Sequence, residues 1–235
     1  MKLYLCANEY TEEQRNEAAL VRDTLSARGF VFAGDASECD LVISLGGDGA
    51  MLKAAKTALA ADKPLMGINS GRLGYLCAMK VQDMYRFEEV LSKARISGRL
   101  VLETEAGGKK VYAVNDLIFG KQFFGQTVEI EVSSGSKKLM DLIGDGLIVA
   151  TPTGSTAYSR HAGGPVIMEG VDAVCLTPIC ADAKALVAGA SGDIEVFLKR
   201  GDCDVYVDGE KLAYEGKKLS IRRSEKILKL LMPGE

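Results

Sequence analysis

The chain has a single histidine, His161, and no two cysteines spaced as Cys-x-x-Cys. Its six cysteines are Cys6, Cys39, Cys77, Cys175, Cys180 and Cys203, and most lie in apolar, strand-like surroundings. That spacing, with one imidazole, argues against a zinc centre and offers no protein-borne metal cluster. Free buried thiols in a reducing cytoplasm are the simple expectation. A strong charge of one sign is also missing. Lys and Arg number 29 against 32 Asp and Glu, a formal net charge of −3, which removes the electrostatic case for nucleic acid or an anionic membrane as partner. No apolar run approaches a membrane span. The opening "MKLYLCANEY" turns polar too soon to read as a signal peptide. There is no internal repeat and no low-complexity stretch. What is present is ordinary globular composition: 235 residues, 47% apolar and 26% charged, enough for a sizeable core in one large domain or two small ones.

The first part alternates strand and helix. "KLYLCA" (2–7) reads as a strand. "TEEQRNEAALVRDTLSARG" predicts a helix, with Thr11 as N-cap, Gln14 completing a capping box, Gly29 as the stop, and Ala18, Val21 and Leu25 on one face. "FVFAG" is a shorter strand. "DLVISLGG" is apolar on both faces, as a parallel strand covered by helices is. "AMLKAAKTALAA" is a helix and "PLMGIN" (64–69) a strand. This order predicts an α/β domain with a largely parallel sheet.

After the helix-like "VQDMYRFEEVLSKAR" the rhythm changes to short β-like runs, among them "RLVLETEA", "KKVYAVNDLIFG", "TVEIEVSS", "KKLMDLIG", "GLIVATP" and "CDVYVDG". Asp208-Gly209 between alternating runs signals a hairpin. The second part is therefore expected to be mainly β and sandwich-like. The expected division is an α/β domain over 1–95, a mainly-β domain over 96–218, and a basic tail over 219–235 docking back on the first domain.

Three stretches carry candidate chemistry. "GGDG" (46–49) ends an apolar strand and opens a helix. As a turn it needs only glycine's freedom and Asp's tolerance. As a site, it lies where open α/β sheets bind ligands, and its N–H groups would face phosphate. It is neither a Walker A loop nor a Rossmann fingerprint. Lys53, one turn on, would add positive charge there or serve as a surface lysine. The second stretch, "GDGLIVATPTGSTAYSRHAGGP" (144–165), reads either as a long surface loop with Asp145-Gly146 as a hairpin turn or, since structureless loops of this length are usually functional, as a polar, close-approach binding surface. "VNDLIFGK" places Asn115 and Asp116 at the end of a β run, as a turn or as a grip on adjacent sugar hydroxyls. Tyr158 is equally suited to packing and to stacking. The third, "GINSGRLGYLCAM" (67–79), reads either as a crevice-lining loop or as a plain strand-to-helix connection.

In this order "GGDG", "GINSGRLGYL", "VNDLIFGK", "DGLIVATPTGSTAYS…AGGP", "LTPIC" and "VDGE" resemble the NAD kinase family, from about Leu41 to Glu210. "GGDG" alone is shared with 6-phosphofructokinases and with diacylglycerol- or sphingosine-type lipid kinases. The resemblance implies an NAD kinase/diacylglycerol kinase-like fold with the site where two domains meet. It further implies ATP-dependent phosphorylation of the adenosine-ribose 2′-hydroxyl of NAD to NADP, a divalent metal such as Mg²⁺, and a homodimer or homotetramer. Asp48 matches the catalytic aspartate. Gly46, Gly47 and Gly49 match the phosphate-facing loop, and Lys53 a basic contact. Asn115 and Asp116 match the pair that holds the adenosine ribose. Asp145, Thr156, Ala157, Tyr158 and Ser159 fall on the dinucleotide-binding surface. His161 and Glu210 stand there in place of the usual Ser and Gln. Ala50, Tyr75 and Ile143 also depart from the family pattern. Asp48 is left with two roles, accepting the hydroxyl proton or orienting the hydroxyl or a metal-bound water. The alternatives are a kinase of a lipid or sugar phosphate, and a non-catalytic dinucleotide sensor.

Overall fold

The computed structural model describes residues 1–71 and 74–234. Arg72 and Leu73, inside the glycine-rich stretch 67–79, and Glu235 in the tail lie outside the described residues. The chain forms two compact units, Met1–Gly98 together with the segment from Leu228, and Arg99–Ile227. Among the described residues no helix is long and apolar enough to cross a membrane.

In the first unit Lys2–Ala7 (β1), Glu12–Ser26 (α1), Val31–Phe32 (β2), Leu41–Leu45 (β3), Asp48–Ala61 (α2), Leu65–Asn69 (β4), Met79–Lys80 (β5) and Phe87–Lys93 (α3) follow one another. The strands are parallel in the order β4-β3-β1-β2, with β5 on β4. The capping box at α1 forms: Gln14 N donates to Thr11 Oγ1 and Thr11 N to Gln14 Oε1, each at 3.2 Å. Ala18, Val21 and Leu25 of α1 are buried with Leu3, Ile43, Leu45 and Ile68. Strand alternation turns Ser44 and Gly67 to the other face. There α2 lies so close that a Cβ on Gly67 would sit 2.6 Å from Met51 Sδ. All five residues of β3 are buried, as coverage on both faces requires.

The helix-like segment 81–95 is only partly α-helical. Val81–Arg86 is 3₁₀ and Phe87–Lys93 is α. Met84 and Phe87, the buried pair, are three residues apart, and a 3₁₀ turn puts i and i+3 in line. The Phe87 ring meets Phe30 edge-on at 5.3 Å.

In the second unit the strands are Arg95–Ala106 (β6, whose start lies in the first), Lys109–Ala113 (β7), Asp116–Lys121 (β8), Val128–Ser134 (β9), Lys137–Gly144 (β10) and Gly146–Ala150 (β11). Then follow a short helix, Tyr158–His161 (α4), and Ala173–Ile179 (β12), Leu186–Gly189 (β13), Ile194–Arg200 (β14), Cys203–Val207 (β15), Glu210–Leu212 (β16) and Lys218–Met232 (β17). One antiparallel sheet runs β13-β12-β11-β8-β15-β16, and β10-β9-β14-β17, with β6 on β17 and β7 on β6, belongs to the sheet that also holds β4. Inner residues of both, including Leu117, Val149, Val174 and Val205 from one and Ile130, Val132, Val196 and Ile221 from the other, share one core. This is the sandwich-like arrangement expected. The last strand ends with Leu230 parallel to Leu65 of β4.

Two local readings change. Asp145-Gly146 is not a hairpin: β10 pairs with β9 in one sheet, while β11 pairs with β8 and β12 in the other. Strand β10 alternates buried and exposed residues and suits an edge, whereas β11 is buried throughout and suits a centre. The apolar run "KKVYAVNDLIFG" also breaks, at Val114-Asn115, into β7 and β8.

Candidate functional site

In the first unit the strand order reverses beside β1, since β2 lies on one side of it and β3 on the other. Such switch points are where parallel sheets open a crevice at their carboxyl ends. A cavity of about 420 Å³ is found there, lined by Asn8, Glu17, Gly46, Gly47, Gly49 and Lys53 among others. The first two N–H groups of α2, those of Asp48 and Gly49, have no partner within the helix, and Gly49 lines this space. Gly46 is held at φ +137°, where a Cβ would come 2.8 Å from that of Ala50, so the loop accepts no side chain there. Its N–H donates to Ile68 O at 2.9 Å, and Cys77 Sγ donates to its carbonyl at 3.6 Å. Asn69 is turned inward, with Nδ2 on Cys77 Sγ and Oδ1 accepting Gly71 N at 2.7 Å. Burial pushes the Cys77 thiol above its usual range. The stretch after β4 thus backs the glycine loop.

Asp48 is the first residue of α2. Its carboxylate accepts the N–H of Tyr75 on Oδ2 and of Leu76 on Oδ1, each at 3.3 Å. A Cβ on Gly74 would fall on that carboxylate. Asp48 is therefore oriented from a segment 27 and 28 residues away.

In the second unit Asn115 and Asp116 open β8 and are clasped from two sides. Asp208 Oδ2 accepts Val114 N at 2.8 Å, and Oδ1 accepts Asn115 N at 2.7 Å and Asp116 N at 3.2 Å. Asp208 N donates to Asp116 O at 3.0 Å. Thr151 completes the clasp: Oγ1 donates to Val114 O at 2.6 Å and N to Asn115 O at 2.8 Å. Asn115 Oδ1 is buried without a hydrogen-bond partner among the described residues. Asp116 is 4% exposed. Burial, with the Asp208 charge adding to it, pushes its carboxyl up to about 7.

The following segment lies on the outer face of this sheet, where Ile167, Ile148 and Cys175 form a small core. Thr156 Oγ1 donates to Thr153 O at 3.0 Å, and Ala157 caps α4. Tyr158 and His161 are exposed, the latter with Nδ1 2.9 Å from Ala157 O. Ser159 points the other way. It is fully buried, its hydroxyl 2.7 Å from Thr177 Oγ1. Glu210 is exposed at the start of β16.

The structure therefore gathers Gly46, Gly47, Asp48, Gly49 and Lys53 at one end of the parallel sheet. It brings Asn115 and Asp116 together with Thr151 and Asp208. Asp145 lies apart from that pair, at the opposite end of β8. It accepts Lys121 N and forms an ion pair with Lys121 Nζ at 2.6 Å. Asp116 and Lys121 span the length of β8, about 17 Å at a rise of roughly 3.4 Å per residue. Thr151, Thr177 and Asp208 are not singled out by the sequence. The hairpin reading of Asp208-Gly209 accounts for the backbone and leaves the carboxylate unexamined.

Comparison with known proteins bears on both units. Residues 3–96 match the ATP-NAD kinase N-terminal domain model and residues 114–231 the ATP-NAD kinase C-terminal domain model. An NAD kinase of Thiobacillus denitrificans is 36% identical over 211 residues, 84% of this chain and 73% of that protein. One of Thermotoga neapolitana is 32% identical over 235 residues, covering 95% and 90%. Among solved structures, yeast NADH kinase complexed with NADH superposes with a TM-score of 0.85 at 19% identity, over 100% of this chain and 84% of the other. An NAD kinase from Archaeoglobus fulgidus in complex with ATP gives 0.83 at 22% identity, over 99% and 94%.

Proposed function

The chain belongs to the ATP-NAD kinase family, and we propose that its two units divide the work of that reaction, with the glycine loop serving phosphoryl transfer and the clasped turn serving the acceptor. The enzyme phosphorylates NAD with ATP, and the phosphate goes to the 2′-hydroxyl of the adenosine ribose. The observation that carries the division of roles is Asp48, fixed by two amides between Gly47 and Gly49, which line the switch-point crevice.

Phosphoryl transfer asks the protein chiefly for positioning and for neutralising charge. The amides of Gly47 and Gly49 and the Lys53 ammonium face phosphate oxygens. Asp48 receives the proton of the attacking hydroxyl or orients that hydroxyl. Asn115 and Asp116 hold the adenosine ribose, and the buried Asn115 Oδ1 gains a hydroxyl donor. Thr156, Ala157, Tyr158 and His161 form the dinucleotide surface on the outward side of α4, and Glu210 borders it. Ser159 acts from the inward side by fixing α4 on Thr177.

Among the described residues no group of three or more His, Cys, Asp or Glu is arranged to hold a metal. Glu17 lines the crevice and Asp48 stands between its lining residues Gly47 and Gly49; these two carboxylates would suit Mg²⁺, an ion that takes one or two carboxylates and otherwise phosphate oxygens. When bound, it supplies neutralisation of charge on the transferring phosphoryl group. Asp145, remote from Asn115 within one copy, meets the dinucleotide across a homodimer or homotetramer in this reading. The six free thiols fit a reducing cytoplasm.

The test is incubation with ATP and NAD, with NADP read out by an NADP-specific dehydrogenase. Turnover on the order of 1–10³ s⁻¹ is expected. Tight NAD binding with no NADP formed would overturn the reading in favour of a sensor.

A further inference from the structure

The hairpin formed by β15 and β16 carries more than a turn needs. Asp208 sits at φ +49° and Gly209 at φ +82°, the pair of left-handed residues that a two-residue hairpin loop requires. Asn fills the first of those positions as readily as Asp. Backbone geometry therefore explains a small polar residue at 208 but not a negative charge.

The charge has another use. Its two oxygens take three successive amides, those of Val114, Asn115 and Asp116, and hydrogen bonds to a charged acceptor are about twice as strong as neutral ones. The carbonyls of the same three residues go to Thr151 and to the Asp208 amide. Every backbone polar group of the segment is thus committed to two residues distant in sequence. The arrangement has a cost, since a fixed anion lies beside the buried Asp116. Asp208 is the charged group acting on Asp116. Ala150, opposite Asp116 on β11, is neutral, and so are Thr151 and Gly154, which meet Asn115. Val207 of β15 is apolar, and Glu210 and Lys211 of β16 are exposed.

We propose that Asp208 is the positioning residue for acceptor binding: its carboxylate, gathered on three amides, aims Asn115 and Asp116 at the dinucleotide and keeps a second negative charge beside Asp116. The proposal rests on the reading that Asn115 and Asp116 hold the adenosine ribose. Asp208 itself touches no substrate in this scheme.

The test is Asp208→Asn in the full-length enzyme. Asn keeps the left-handed turn, removes the charge and sets an N–H₂ group against amide donors. The KM for NAD should rise about tenfold or more, the equivalent of one lost charge-assisted hydrogen bond, while kcat changes much less. With the Asp116 carboxyl pushed up to about 7, binding that uses its ionised form should strengthen as pH rises through that value. In Asp208→Asn the midpoint of that change in KM should move to lower pH, a displacement that loosened structure alone would not produce. An unchanged KM with an unchanged pH midpoint overturns the proposal. Asn115→Ala, measured in parallel, separates the two ideas. If it leaves the KM for NAD unaltered, the ribose reading fails and the proposal with it. If it raises KM while Asp208→Asn does not, only the proposal fails. Should Asn at 208 compromise folding, Asp208→Ser, which keeps an uncharged acceptor, repeats the measurement with the same two outcomes.

Discussion

Gly74 and Asp48 compete for one volume: a Cβ on Gly74 would fall on the Asp48 carboxylate. The smallest possible side chain at position 74 therefore acts on the residue assigned to phosphoryl transfer, without touching the glycine loop. Gly74→Ala should lower kcat about a hundredfold, the scale of an ångström misplacement of a reacting group, with little change in thermal unfolding. Steady-state assay of NADP formation beside a melting curve checks this. Near-normal turnover would show that the orientation of Asp48 does not matter.

Asp48→Asn retains the shape of the carboxylate and one oxygen for the amides of Tyr75 and Leu76. What it loses is the ability to receive a proton. The variant should fold normally by circular dichroism and lose about 10²–10⁴ in kcat, the usual share of general base catalysis. A variant with most of its turnover intact would remove Asp48 from the chemistry.

Asp116 should make stability depend on pH in the reverse of the usual carboxylate sense. Burial pushes its carboxyl from 3.8 up to about 7, so between those values the folded chain binds more protons than the unfolded one. The contribution of the protonated group is complete below about 4 and is lost as pH rises through about 7. Asp116→Asn removes that dependence. Relative to the parent it should gain stability between pH 5 and 8, by up to about 4 kcal/mol, and gain nothing at pH 4. Denaturant unfolding across this range is the measurement. A parallel displacement at every pH would contradict it.

Chelation separates catalysis from folding. Because no metal-holding cluster is present among the described residues, EDTA should abolish NADP formation and leave the unfolding midpoint of the nucleotide-free protein unchanged. A midpoint that falls with EDTA would mean a protein-bound structural ion.

Much of the fold is legible in the residue order, because it rests on short-range signals. The capping box of Thr11 and Gln14, the all-apolar β3 and the Asp-Gly hairpin each state their own structure. The glycine loop is likewise visible, since strand, glycines and helix are contiguous. The rest is hidden where a residue's partner is far along the chain. Ser159 lies in a polar stretch, yet its hydroxyl belongs to Thr177. Asp145 looks like a hairpin residue because the destination sheets of its two flanking strands are not written locally. The β-like run from Val111 to Phe119 admits a turn at its polar pair Asn115-Asp116, but the residue that clasps that turn, Asp208, is not written locally.

That last link sets an order of events during synthesis. The amides of Val114 to Asp116 wait for a carboxylate 92 to 94 residues later, and closing so long a loop is slow beside local hairpin formation. A nascent chain that has emerged through Thr151 already displays Asn115 and Asp116 and can take their carbonyl side on β11 and Thr151, but their amides still lack the carboxylate. The acceptor-binding turn takes shape only when the hairpin of β15 and β16 arrives, so any fragment ending before Asp208 should bind the dinucleotide poorly however well its strands form.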